Sequence, residues 1–329
     1  MIARRRLLYT GFGLAASSVL APRIFRAFGA TAGGIGFQPP WHQTVADSKS
    51  ITVGGATLQI DFGSGDLDLP HDAIVLWVRR AAEAVSHYYA RFPVLSARLL
   101  VLPSGGNGIH NGTTWGDVGG SPAFTRIRVG EHTTAQQLRD DWMMTHELIH
   151  TGLPSLPDQN HWLEEGIAVY VEPIARVQAG QLSEDLVWRD MIRDMPQGQP
   201  RLGETGLDHT HTWARTYWGG AGFCLLADVE IRKQTQNRKG LQDALRGIVM
   251  AGGSIAHEWE IAPTLHAGDN ATGTQVLTQL YSRMHDNAVP IDFDGLWKQL
   301  GVIENNGGIS FNSQAPFANV RQAIFAKTA

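Results

Sequence analysis

A short histidine motif constrains the fold and chemistry of this chain more than any other feature. Residues 146 to 150 read His-Glu-Leu-Ile-His, and Trp-Leu-Glu-Glu-Gly follows at 162 to 166. On an α-helix, His146 and His150 lie one turn apart on one face, where two imidazoles can bind a single metal ion. Glu147 lies beside that face and can exchange a proton with a metal-activated water. The motif therefore predicts a helix that contributes two ligands and a carboxylate base to a zinc site.

The sequence around the motif predicts one helix with defined ends. Thr134 and Gln137 have the spacing of a capping box, and apolar residues recur at helical spacing after them. Gly152 and Pro154 follow the second histidine and are typical of a helix end. The alternative is a helix whose two histidines have a purely structural role.

The third zinc ligand is less directly indicated. A catalytic zinc takes three protein ligands and keeps one position open. Position 156 is Leu, so the third histidine of the metzincin spacing is absent. His161, eleven residues after His150, has a spacing that is typical of no zinc site. Glu164 and Glu165 remain as candidates.

The segment after the histidine motif resembles a known family. Residues 162–172 read WLEEGIAVYVE and are similar to the W-L-x-E-G-x-x-x-Y-x-E segment of the gluzincin peptidases, which aminopeptidase N and the glycyl aminopeptidases carry. The resemblance implies that Glu165 is the third ligand and leaves Glu164 as the alternative, or as a solvated carboxylate. It also implies that Glu172 hydrogen-bonds a ligand histidine; a charge at a helix end before Pro173 is the other interpretation.

A second motif resembles the glycyl aminopeptidases. Residues 216–246 are similar to their Y-x-K-G-x-x-x-x-x-x-L-D-x-x-I-R helix and to the run that follows it, with Gly219 where lysine is usual. The resemblance implies that Tyr217 donates a hydrogen bond to the oxyanion formed during peptide hydrolysis. An aromatic residue packed at a helix start is the alternative for Tyr217. His209 and His211 are substitute donors or, alternatively, loop residues.

The resemblance is incomplete where the substrate would bind. Aminopeptidase N holds the free amine of its substrate with a glutamate on an edge strand, whereas residues 105–121 contain Asp117 as their only acid. We expect the edge strand at 108–115, with a mobile surface loop as the alternative. The spacer between His150 and Glu165 has 14 residues, shorter than is usual in the family. The sequence therefore does not choose between aminopeptidase and endopeptidase action.

The N-terminal segment has the pattern of an export signal. Three arginines at 4–6 precede an uncharged stretch, and small residues near Gly29 and Ala32 offer cleavage sites. The arginines and the two leucines after them resemble a twin-arginine signal, with Ala3 where Ser or Thr is usual. A Sec signal or an uncleaved anchor is the alternative, although a membrane span needs about 20 apolar residues. We expect a periplasmic or secreted protein, associated with a membrane only if the signal is uncleaved.

Charge and cysteine content narrow the possible partners. The first 32 residues hold five of the 27 basic residues and no acid, so their removal leaves 22 basic and 31 acidic residues. This acidic balance argues against a nucleic-acid partner. Cys224 is the only cysteine, so no intrachain disulfide can form, and we expect it in the core.

The pattern of strands and helices predicts an α+β fold, and the resemblance implies a thermolysin-like metallopeptidase catalytic domain. An export signal (1–32) and a linker (33–50) precede a zinc metallopeptidase domain (51–329). Its β-rich N-terminal lobe, about 51–152, contains the zinc helix, and its C-terminal lobe, about 153–329, is mainly helical. Strands are expected at 51–63, 97–102 and 124–129, and helices at 72–92, 213–235, 240–250, 272–286 and 293–300.

These observations together predict an exported zinc-dependent peptidase with one Zn²⁺ per chain. Its ligands are His146, His150 and Glu165, its general base is Glu147, and Tyr217 stabilises the oxyanion. The substrate is a peptide or protein. The alternative function is that of a non-catalytic exported binding protein on a degenerate peptidase scaffold.

Overall fold

A five-stranded sheet forms the first part of the molecule. The computed structural model describes residues 43–305 and 308–327. The strands lie in the order β1-β2-β3-β5-β4, with β2, β3 and β5 parallel to one another and β1 and β4 antiparallel to their neighbours. They are β1 (Val45–Val53), β2 (Ala56–Gly63), β3 (Ser96–Ser104), β4 (Ile109–Val118) and β5 (Ser121–Gly130). The segment expected as an edge strand is β4, at one edge of this sheet.

Local sequence explains the first connections of the sheet. Gly54 and Gly55 both have positive φ, as a two-residue hairpin between β1 and β2 requires. Helix α1 (His71–Tyr89) then crosses from β2 to the parallel strand β3. The apolar face of α1 packs against one face of the sheet in the main hydrophobic core. The sheet therefore belongs to the same core as the helices that follow.

The rest of the described chain is mainly helical. Two short helices come first, and a long helix follows two short 3₁₀ turns at 150–152 and 158–160. A π-helical turn, Arg215–Gly219, leads directly into another long helix, and a two-stranded sheet lies near the end of the chain. The bounds are α2 (Ala135–Asp140), α3 (Met143–Ile149), α4 (His161–Gln178), α5 (Glu184–Asp194), α6 (Gly220–Thr235), α7 (Leu241–Met250), α8 (Ile261–Thr272), α9 (Val276–Met284), α10 (Phe293–Leu300), β6 (Val302–Asn305), β7 (Gly308–Phe311) and α11 (Ala318–Phe325).

The single helix expected around the histidine motif is in fact two helices. The capping box at Thr134 is present but starts only the six-residue α2. Asp141 then takes an extended backbone conformation, and its carboxylate accepts hydrogen bonds from the N–H groups of Met143 and Met144. This carboxylate satisfies two free N–H groups at the start of α3 and explains why a new helix begins there.

Two other boundaries differ from the sequence expectation. The predicted export signal and the first ten residues of the predicted linker lie outside the described residues. The linker was expected to reach residue 50, but β1 begins at Val45; its first residues are mostly exposed and polar, which made an edge strand resemble a linker. A helix end before Pro173 was one interpretation, but α4 continues to Gln178.

Close contact between α4 and α6 fixes the relative position of the two motifs. A Cβ atom on Gly166 would lie 2.3 Å from the backbone of Gly220, and one on Gly220 would lie 2.2 Å from the carbonyl oxygen of Trp162. Only glycine allows this approach without a shift of the backbone. The approach places the π-helical turn beside the N-terminal half of α4.

Candidate metal centre

Three side chains from α3, the turn after it and α4 converge in the interior. His146 Nε2 lies 3.1 Å from Glu165 Oε2, and His150 Nε2 lies 3.9 Å from Glu165 Oε1. One ligand atom from each residue can be chosen so that all three lie within 4.8 Å of one another. His150 is not part of α3 itself but opens the 3₁₀ turn that continues it.

The geometry and chemistry of this group fit a zinc ion. Ligands at about 2.0–2.1 Å from zinc in tetrahedral geometry lie about 3.4 Å apart, close to the two separations above. Two imidazoles and a carboxylate are a donor set that catalytic zinc uses. Burial lowers the pKa of His150 to about 4, so its ring is neutral and can offer a lone pair. Burial opposes ionisation of Glu165, but His150 and His146 outweigh it and hold the pKa of Glu165 well below its ordinary value.

Glu147 lies next to this group and is held by the edge strand. Its carboxylate Oε2 accepts a hydrogen bond of 2.8 Å from Thr114 Oγ1, and the same hydroxyl lies 3.1 Å from the Glu147 carbonyl oxygen. A Cβ atom on Gly112 would come within 2.6 Å of Glu147 Cγ, so glycine leaves room for the side chain. Burial raises the pKa of Glu147 to about 7, against the opposing effects of His146 and Thr114. A carboxyl group with this pKa can both accept and release a proton near neutral pH.

Tyr217 reaches the same group from the π-helical turn. Its ring is stacked over His146 with centroids 6.5 Å apart and over Trp213 with centroids 5.6 Å apart. Burial, then the charges of Glu165 and Glu147, raises the pKa of Tyr217 well above its ordinary value. The hydroxyl therefore stays protonated and is available as a hydrogen-bond donor beside the carboxylate of Glu165.

His161 is a neighbour of the group that the sequence did not reveal. Its Nδ1 lies 2.7 Å from Glu164 Oε2, and its Nε2 lies 3.4 Å from Glu165 Oε1. Burial would lower the pKa of His161, but the hydrogen bond to Glu164 and the charge of Glu165 raise it to about 9. The i, i+3 and i, i+4 spacing of these residues was the signal that could have found this contact.

Glu164, the alternative ligand, and Glu172, the expected partner of a ligand histidine, both make contacts outside the group of three. Glu164 is outside the group of three, and its Oε1 accepts the N–H of Leu156 at 2.8 Å. Glu172 accepts a 2.8 Å hydrogen bond from Arg176, with both side chains buried. His146 Nδ1 has no hydrogen-bond partner among the described residues, so the expected bond from Glu172 is not formed at His146, and at His150 it stays a prediction.

The remaining candidates lie at the periphery or in the core. His209 pairs with Asp286 at 2.7 Å, both more than half exposed, and His211 is also exposed. Asp117 lies near the end of β4 with a φ of 49°. Cys224 is buried on α6.

Comparison with known proteins gives a relationship at the level of fold. No family model and no curated protein matches the sequence. An aminopeptidase N family protein from Idiomarina loihiensis is similar in structure, with a TM-score of 0.60 and 12% identity over 82% of this chain and 53% of that chain. An M1 zinc metallopeptidase from Deinococcus radiodurans matches with a TM-score of 0.47 and 14% identity over 74% of this chain and 52% of that chain. The chain thus spans about half the length of these solved structures.

This chain has an aminopeptidase N-like fold. The resemblance to the gluzincins is confirmed at that level, and the architecture is a mixed α/β one. Among the residues that the structure describes, no helix combines the length and the apolar character needed to cross a membrane.

Proposed function

We propose that this protein is an exported, zinc-dependent peptidase with the domain layout of a thermolysin-like enzyme. The observation that carries the proposal is the convergence of His146, His150 and Glu165, with Glu147 buried beside them. These three residues would hold one Zn²⁺ ion. When bound, zinc supplies a Lewis acid that makes water nucleophilic at neutral pH and polarises the substrate carbonyl. The fold similarity to an aminopeptidase N family protein supports this assignment.

The chain's own residues then have separate roles. Glu147 accepts the proton of the attacking water and returns it to the leaving amine, while Thr114 keeps its carboxylate in place. The Tyr217 hydroxyl donates to the oxygen on which negative charge develops. The substrate is a peptide or protein whose backbone would extend the sheet at the edge strand β4.

The N-terminal pattern supports a place outside the cytoplasm. We propose that residues 1–32 direct the chain to the periplasm or beyond, and that the protein contacts a membrane only if this segment is retained. The absence of acids from 105–116 leaves both blocked and unblocked peptides as candidate substrates.

The test of this function is Glu147→Gln on protein recovered from the periplasm, whose intact mass shows whether the signal was removed. The amide keeps the shape of the side chain but cannot accept a proton, so we expect kcat to fall by about 10²–10⁴-fold. Zinc content should stay near one ion per chain because Glu147 is not a ligand. The readout is cleavage of a broad panel of blocked and unblocked peptides, with metal analysis.

The matched control is Glu83→Gln, the same change at an exposed position on α1, which should leave activity unaltered. Normal cleavage by zinc-loaded Glu147→Gln would rule out the mechanism. A zinc-loaded wild-type protein that cleaves nothing in the panel would favour the non-catalytic binding protein instead.

A further inference from the structure

His161 contacts the carboxylate of Glu165, and Glu164 in turn contacts the His161 ring. The two oxygens of Glu165 have different neighbours: Oε2 lies 3.1 Å from His146, and Oε1 lies 3.4 Å from His161 and 3.9 Å from His150. The carboxylate is therefore in contact with a ring nitrogen at each oxygen. Such contacts restrict rotation about the last side-chain torsion, which is otherwise broad.

The contact from His161 is itself anchored. His161 is the first residue of α4, so Glu164 and Glu165 lie three and four positions on, within reach of one ring. Glu164 bonds the His161 ring at 2.7 Å through one oxygen and the backbone N–H of Leu156 at 2.8 Å through the other. The loop before α4, the helix start and the candidate ligand thus form one continuous chain of contacts.

His161 is placed to orient a ligand rather than to act as one. Its ring atoms are not part of the group whose ligand atoms all lie within 4.8 Å of one another. Its side chain is partly exposed. A polar group that bonds a metal-ligating carboxylate or imidazole from behind commonly contributes a factor of about 10–100 to metal affinity.

We propose that His161 is a positioning residue that orients the Glu165 carboxylate toward the metal, and that Glu164 anchors it. The proposal rests on the zinc site described above. It assigns Glu164 a supporting role in place of the alternative ligand role that its position in the sequence left open.

Two substitutions at one position separate the two contacts of the His161 ring. In His161→Asn the side-chain amide takes the place of Nδ1, so it can keep Glu164 but cannot reach Glu165. In His161→Gln the longer side chain carries its amide toward the position of Nε2 and can keep Glu165. Metal-free proteins are titrated with zinc in competition with a chromophoric chelator, and the thermal midpoint of each metal-free variant is recorded.

We expect His161→Asn to weaken zinc binding by about 10–100-fold. His161→Gln should stay within about threefold of wild type, with all metal-free midpoints similar, since only the orientation of the ligand has changed. His132→Asn is the control: His132 also pairs with a carboxylate, Asp68, at 2.9 Å on the surface, and its loss should leave zinc affinity unaltered.

If zinc affinity falls by less than about fivefold in His161→Asn, or falls equally in both variants, the proposed role of His161 is wrong. Should His161→Asn fail to fold, His161→Ser, whose short side chain cannot reach Glu165 either, takes its place under the same limit. A wild-type protein that binds no zinc would refute the metal site itself. If the wild-type protein binds zinc and the variants bind it equally well, only the contribution of His161 is refuted.

Discussion

The two helices that form the candidate metal centre are stabilised in opposite ways. Helix α3 has seven residues and α4 has eighteen. A seven-residue helix is not stable by itself in water, and α3 relies on other elements: Asp141 binds its first N–H groups, and Thr114 of β4 binds Glu147. The short helix therefore takes its geometry from its surroundings.

Helix α4 differs from α3 in its length and in its own side-chain pairs rather than in burial. Fourteen of its eighteen residues are buried, as are six of the seven in α3. The charged pairs of α4 are internal, since Glu172 binds Arg176 one turn later and His161 binds Glu164. The comparison predicts that changes around α3 act mainly on catalysis and on pH dependence, whereas changes within α4 act mainly on stability and metal affinity.

The largest expected effect is on α4. Glu172→Gln leaves the buried guanidinium of Arg176 without its adjacent counter-charge, and the free energy of unfolding should fall by about 3–5 kcal/mol. Denaturant unfolding of the metal-free protein measures this loss. Glu230→Gln is the control because Glu230 pairs with Lys233 on the surface, where the same change should cost less than about 1 kcal/mol.

A second substitution sharpens this result. In Glu172→Gln/Arg176→Met neither side chain carries a charge, so we expect most of the lost stability to return. If the double variant is no more stable than the single one, the buried ion pair is not what stabilises this part of α4.

The next effect concerns the start of α3 and depends on pH. Burial raises the pKa of Asp141 to about 6, against the opposing hydrogen bonds from Met144 and Met143. A raised carboxyl pKa means that the folded state binds the proton more tightly than the unfolded state. The contribution of the Asp141 carboxyl to the free energy of unfolding is therefore fully present below about pH 4 and is lost as the pH rises to about 6.

Asp141→Asn removes this titration and keeps an acceptor for the helix N–H groups. Relative to wild type, the variant should gain about 1–2 kcal/mol in the free energy of unfolding between pH 4 and pH 7. Urea unfolding at pH 4, 5, 6 and 7 measures the difference. A difference that stays constant over this range would show that Asp141 has no raised pKa.

The smallest effect concerns the support of Glu147 by the sheet. Thr114→Val keeps the shape of the side chain but removes the hydroxyl that binds the Glu147 carboxylate. We expect kcat to fall by about tenfold, equivalent to about 1.4 kcal/mol, with zinc affinity unaltered. Thr113→Val is the control because, within the described part of the chain, the Thr113 hydroxyl bonds only the carbonyl oxygen of Gly112. Equal activities of the two variants would mean that β4 does not position Glu147.

Local periodicity explains what could be predicted from the sequence. Spacings of three and four residues on a helix are geometric facts, so the spacing alone places His146, His150 and Glu147 together. Strand β4 was expected as the edge strand that the resemblance implies, and the α1 segment was expected from its apolar spacing. The helices α5, α8 and α11 were missed.

Packing between distant segments decided the rest. The sequence by itself predicted two histidine ligands and the general base, and the resemblance predicted the roles of Glu165 and Tyr217. Only the tertiary structure showed that Thr114 binds Glu147, that Asp141 divides the histidine helix, and that His161 contacts Glu165. The first of these contacts joins residues 33 positions apart. Its geometry depends on how the sheet edge packs against α3, and no repeat along the chain encodes that packing.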